Sequence, residues 1–162
     1  MLGVYSCNRS HSRAIMLSSK SDEAIERFSS IAVGMLRIRP ERVLVTRRGE
    51  MTTVLFYNSA IRRLFDKALK RRSHLFKWRN AYAASYIAAL FDCNGGIDSY
   101  GLYIKEASVD DEALLEHLSF HSDRRGGRCY IINGNTLIAF IRDYSLIAKR
   151  FIRQPGNERD PC

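Results

Sequence analysis

The 162-residue chain has no long hydrophobic run. Its longest apolar stretch, Tyr86 to Phe91, is six residues, whereas a bilayer-spanning helix needs about 20. No membrane segment is therefore expected. Near the start, Arg9, Ser10, Ser12 and Arg13 stand where a secretory leader would carry its apolar core, so no leader is expected either. The four cysteines (Cys7, Cys93, Cys129 and Cys162) form no CxxC pair and have no histidine at ligand spacing. That argues against zinc, and a chain of this size needs no disulfide scaffold. The expectation is a cytoplasmic protein with thiols. Acids are scarce at one end only. Residues 1–80 hold 17 Lys and Arg against 6 Asp and Glu, a balance of +11, while residues 81–162 hold 9 against 11, a balance of −2. Hydrophobic residues make up 46 % of the chain, which favours folding over disorder. The basic half points to a polyanionic partner, most often nucleic acid.

An internal repeat organises the chain. "SDEAIERFSSI" (21–31) reads against "DDEALLEHLSF" (110–120). Each has acids in a first helical turn and apolar residues at helical spacing, with Ser21 or Asp22, and Asp110, as caps. Strand-like runs precede them at 13–19 and 99–106. "FYNSAIRRLFDKAL" (56–69) echoes "INGNTLIAFIRDY" (132–144), a strand giving way to an Asn-led helix. In the first copy, "RVLVTRRG" and "EMTTVLFYN" predict a β-hairpin turning at Arg48-Gly49-Glu50. In the second copy, "GGRCYIIN" (126–133) predicts one strand whose partner is not evident. The helix start "MLGVYSCNR" at the N-terminus has a twin in "IAALFDCNG" (87–95), where Asn80 predicts a cap and a longer helix. Gly3 and Cys7, like Ala89 and Cys93, lie four apart on one helix face. Small residues on that face predict close packing of the two helices about a pseudo-twofold axis.

These two nine-residue stretches resemble the motif of the LAGLIDADG homing endonucleases, and the order of strands and helices resembles that family over about residues 1–152. The resemblance implies an α+β fold. Two αββαββα halves, 1–76 and 77–152, would pack through the motif helices in a monomer, leaving 153–162 as a disordered tail. It also implies antiparallel sheets forming a saddle over double-stranded DNA, and association with introns or inteins. Family members bind divalent metals through an acid at motif position eight. Here that position is Asn8 in one copy and Asn94 in the other. Mg²⁺ sites favour carboxylates, and replacing both acids takes about two negative charges from a two-metal site. Asp92 stands two residues earlier, about 200° around the helix, and is expected to cap local structure. The first helix is a turn shorter than its twin, which fits either an upstream start or a decayed copy.

Candidate DNA contacts follow from strand parity, because residues i and i+2 share a face. His11 and Arg13 point together. Arg42, Thr46 and Arg48 share a face, with Val43 and Val45 opposite. In the second copy the candidates are Tyr100, Lys105 and Arg128, with Arg124 and Arg125 in a preceding loop. "KALKRRSHLFKWRN" (67–80) is the expected linker, holding six Lys and Arg. Arg71, Arg72 and Lys77 there are expected to touch phosphates, with Phe76 and Trp78 packed as core. The leading functional expectation is a DNA-binding protein with cleavage lost or strongly impaired and no cofactor. One alternative is an active endonuclease requiring Mg²⁺, with Asn8 and Asn94 as ligands. Another is an RNA-binding intron maturase. A protein-interaction module with incidental charge is the remaining alternative.

Overall fold

The computed structural model describes residues 1–8 and 13–151. Two helices at its centre set the architecture. Helix α1 (Leu2–Asn8) lies against α5 (Ala81–Asn94). Asn80 caps α5, its side chain accepting from the Tyr82 and Ala83 amides at 3.0 Å. Helix α5 is apolar on nearly every side, with Ala83, Ala84, Tyr86, Ile87, Ala88, Leu90 and Phe91 buried. A helix of that kind sits inside a protein. Burying each of the larger side chains contributes about 1.5–3 kcal/mol.

The first sheet holds β1 (Ile15–Ser19), β2 (Leu44–Arg48) and β3 (Met51–Phe56) in the order β1-β3-β2, all antiparallel. Gly49, with φ of +58°, begins the two-residue turn of the expected hairpin. Between β1 and β2 runs α2 (Asp22–Ser30), capped by Ser21. It passes into a π-helical turn, Ile31–Met35. Helices α3 (Ser59–Lys70) and α4 (Arg72–Leu75) lead toward α5, and Asn58 caps α3.

The second sheet has four strands: β4 (Gly95–Asp98), β5 (Gly101–Lys105), β6 (Ser122–Arg125) and β7 (Arg128–Ile131), in the order β4-β5-β7-β6. Helix α6 (Val109–His117) joins β5 to β6, and α7 (Gly134–Ile141) follows β7. From α5 to α7 the order is αββαββα. The partner of β7, not evident in the sequence, is β6, which places Arg124 and Arg125 in a strand rather than in the expected loop. Helix α6 begins after Ser108, whose capping box with Asp111 replaces the expected Asp110 cap.

One apolar core runs through both sheets and the central helices, from Tyr5, Ile15 and Phe56 to Phe91, Ile104 and Ile141. No helix of the described residues is long and apolar enough to cross a membrane. The tail 153–162 lies outside the described residues.

Candidate nucleic-acid interface

The feet of the helix pair come first, because the motif places them there. A Cβ added at Gly3 would lie 2.6 Å from the Tyr86 carbonyl oxygen and 2.7 Å from the Ala89 Cβ. Glycine is required at that position because α5 occupies the space. One turn further, Cys7 faces Cys93. The nearness of Cys93 and burial push the Cys7 thiol far above its ordinary value, while Cys7 in turn holds Cys93 below its own. Both cysteines are free thiols. The small-residue face therefore packs Gly3 on Ala89 and Cys7 beside Cys93, as their spacing predicts.

Asn8 ends α1, and its Nδ2 donates to the Val4 carbonyl of its own helix at 3.0 Å. Asn94 ends α5, half-buried. Gly95, the last residue of the motif, has the Phe91 ring where a side chain would stand, 2.1 Å from an added Cβ. Asp92 turns away to anchor the chain end: it accepts from the Ser145 hydroxyl, from the Leu146 amide at 2.9 Å and from the Ile147 amide at 3.2 Å. Its carboxylate is thus committed to local structure.

A Mg²⁺ pair needs hard, charged oxygens at this place. The helix ends offer two neutral amides, one of them folded back on its helix. Among the described residues no group of three or more His, Cys, Asp or Glu side chains could hold a metal ion. The donor set does not fit the metals of a phosphodiesterase.

Strand register sorts the outer residues. In the first sheet, Thr46 pairs with Thr53 and Thr53 with Ser18, while Arg48 pairs with Met51. These residues oppose the buried face of Leu17, Val54 and Phe56. Arg42 is exposed in a short 3₁₀ turn, Pro40–Arg42, just before β2. Arg13 is exposed ahead of β1, and His11 lies outside the described residues.

In the second sheet, Lys105 pairs with Arg128 and Arg128 with Arg125. Three cations thus stand in one row across β5, β7 and β6. The next row holds Tyr103 and Tyr130, ring centroids 5.7 Å apart, with Tyr100 6.1 Å from Tyr130 in the exposed β4–β5 turn. The Arg128 guanidinium lies 4.5 Å above the Tyr103 ring and pairs with Asp98. Desolvation opposes ionisation of Asp98, but the Tyr100 amide, the Tyr130 hydroxyl and Arg128 together hold its carboxyl below the usual carboxylate range.

Two expected contacts need correction. Arg124 pairs with buried Cys129, so its side chain leaves the outer face. It bonds the Ala107 carbonyl and Glu112, each at 2.6 Å. Arg72 is buried at 6 % exposure and touches no open surface. Its guanidinium pairs with Asp110 at 2.6 Å and Asp111 at 3.3 Å, and it donates to Ser108 at 3.1 Å. Tyr86 joins this cluster, donating to Asp111 at 2.8 Å, with the Ser6 hydroxyl 3.3 Å away and free to donate to the phenol oxygen. Burial and Asp111 push its hydroxyl pKa well up. Arg71 and Lys77 beside Arg72 are exposed. Phe76 stacks on Tyr86 as core, but Trp78 is 67 % exposed, with the Lys77 ammonium 5.2 Å from its ring centre.

This arrangement of central helices and sheets is found in solved structures of the homing endonuclease I-DmoI. The chain shares the I-DmoI fold. Mesophilic variants of I-DmoI match with a TM-score of 0.55 and 15 % identity, over 80 % of this chain and 78 % of theirs. An I-DmoI variant in complex with its target DNA, nicked in the coding strand and in the presence of manganese, matches at the same score and identity over 81 % and 79 %. A further variant with target DNA and manganese matches likewise over 80 % and 76 %. At 15 % identity the likeness to I-DmoI concerns the backbone and not the chemistry of the helix feet. No family model matches the sequence, and no curated protein matches it at a significant level.

Proposed function

We propose that the chain is a double-stranded DNA-binding protein of homing-endonuclease type whose cleavage is lost or strongly impaired. It is read as a monomer of two pseudo-symmetric halves, 1–76 and 77–152. The observation that carries this reading is the pairing of an I-DmoI-like fold with amides, Asn8 and Asn94, at the helix feet. Two of the solved I-DmoI structures contain target DNA. The outer sheet faces here carry cations and hydroxyls, Arg48 with Thr46 and Thr53 on one and a cation row beside tyrosines on the other, groups suited to a β-ribbon in the major groove. Arg48 and Thr46 serve one sheet, Lys105, Arg125 and Arg128 the other, with Arg13 and Arg42 flanking the first. Exposed Arg71 and Lys77 add sequence-independent attraction to phosphates. Carboxylates at the helix feet would repel phosphates when metal is absent, so the amides favour binding without cleavage.

The test is a combined binding and nicking assay on duplex DNA flanking the gene, with Mg²⁺ and Mn²⁺. Affinity is expected to fall about 10³- to 10⁵-fold between about 50 and 200 mM salt if six to ten phosphates are neutralised. No double-strand cut is expected from the natural chain. The Asn8→Asp, Asn94→Asp double variant should bind in a more Mg²⁺-dependent way. Robust cleavage by the unmodified protein would return the metal-dependent enzyme, with Mg²⁺ as cofactor, to first place. A flat salt response would favour a protein-interaction module. A second reading, RNA binding, draws support from one feature. Tyr100, Tyr103 and Tyr130 beside a basic row suit stacking against unpaired bases, and tighter binding to RNA than to duplex DNA would select it.

A further inference from the structure

Cys7 and Cys93 occupy equivalent places on the two central helices, and neither is needed to explain binding to nucleic acid. Their surroundings bring them together. Gly3 packs against Ala89 with no room for a Cβ, and a residue four positions on falls on the same face one turn lower. Both thiols are free and half-buried. Both also line a cavity of about 390 Å³ that opens beside the helix feet, where a small reagent can reach them. By contrast, Cys129 is 1 % exposed in the core under the second sheet.

We propose that Cys7 and Cys93 form a reversible dithiol–disulfide site that covalently ties α1 to α5, with a small-molecule disulfide such as oxidised glutathione as the oxidant. The Cys93 thiolate attacks one sulfur of the oxidant, forming a mixed disulfide and expelling one glutathione thiolate. The Cys7 thiol gives up its proton to that thiolate and attacks the Cys93 sulfur, forming the Cys7–Cys93 bond and expelling the second glutathione. Two protein thiols are thereby oxidised by two electrons, and one glutathione disulfide is reduced to two thiols. The bond closes a loop of more than half the chain, and long loops gain most from closure in the chain-entropy account. It would also fix the spacing of the two helix feet.

The experiment uses the full chain carrying Cys162→Ser, which removes the tail thiol from competition. The folded protein is treated with oxidised glutathione near neutral pH, quenched with acid, and read by intact mass and peptide mapping. The expected product is lighter by two hydrogen atoms, and a single linked peptide joins Cys7 to Cys93. Its melting temperature should rise by about 5–10 °C and fall back on reduction. In that background Cys7→Ser should stop at one glutathione adduct on Cys93, and Cys93→Ser should give no internal link. Stable adducts on both cysteines, a link that includes Cys129, a dimer linked through either thiol, or no reaction of the folded chain would each overturn the proposal.

Discussion

The two sheets occupy equivalent places against the central helices, yet they present different chemistry. The outer face of the first carries Met16, Leu44, Met51 and Leu55 among hydroxyls, with Arg48 at its end. The second carries a row of three cations and a row of tyrosines, with Asp98 clamping Arg128. Overall charge runs the other way, since residues 1–80 hold the excess of +11 and residues 81–162 are net acidic. Net charge therefore says little about where an interface lies. Much of the basic excess sits on α3 and the linker, outside the strands of either sheet. The acids of the later half are spent on caps and clamps, such as Asp111 in its capping box and Asp92 at the chain end.

The largest expected effect separates neighbouring arginines. Arg72→Ala should cost about 3–5 kcal/mol of stability, because it leaves Asp111 charged and buried without its partner. Arg71→Ala, next to it but exposed, should stay within about 0.5 kcal/mol. Urea unfolding of both variants checks this, and equal effects would show that the buried ion pair is not structural. A smaller effect contrasts the twin helices. Gly3→Ala should destabilise by about 1–3 kcal/mol through overpacking against α5, whereas Ala89→Gly should cost about 1 kcal/mol from helix propensity. A Gly3→Ala variant with unchanged melting temperature would mean that the helices stand further apart. Smallest is the contrast between the sheets on DNA. Arg48→Ala and Lys105→Ala should each flatten the salt dependence by about one unit of slope, with an affinity loss near 1 kcal/mol. If only Lys105→Ala has an effect in fluorescence-anisotropy titrations, the first sheet does not take part in binding.

Much of the fold was legible because its signals are local. Asn80 as a cap and the small residues Gly3, Ala89 and Cys93 point to the two central helices, which run Leu2–Asn8 and Ala81–Asn94, the second starting directly after its expected cap. Parity placed Thr46 and Arg48 on one face, which the register bears out. Signals that depend on partners were not legible. Strand β4 begins with two glycines, poor strand formers, and exists because Gly95 makes room for Phe91 and Gly96 for Tyr103. Strand β6 is all polar and is held by its neighbour β7. Arg72 and Arg124 look like surface cations in the sequence. Only the three-dimensional placement of Asp110, Asp111 and Glu112 shows that they are occupied. An alternating pattern that put Arg125 outside could have put Arg124 inside, had β6 been recognised as a strand.

Helix α1 has seven residues, too few to hold a helical shape alone in water. The surface that steadies it, between Tyr86 and Leu90, is made more than 80 residues later. During synthesis on a ribosome, α1 can rest on β1 and α3 first, with Tyr5 against Phe65 and Asp66, but the seat for Gly3 is missing until α5 has left the exit tunnel. Until then the small-residue face of Gly3 and Cys7 stays open to chaperones and to other nascent chains.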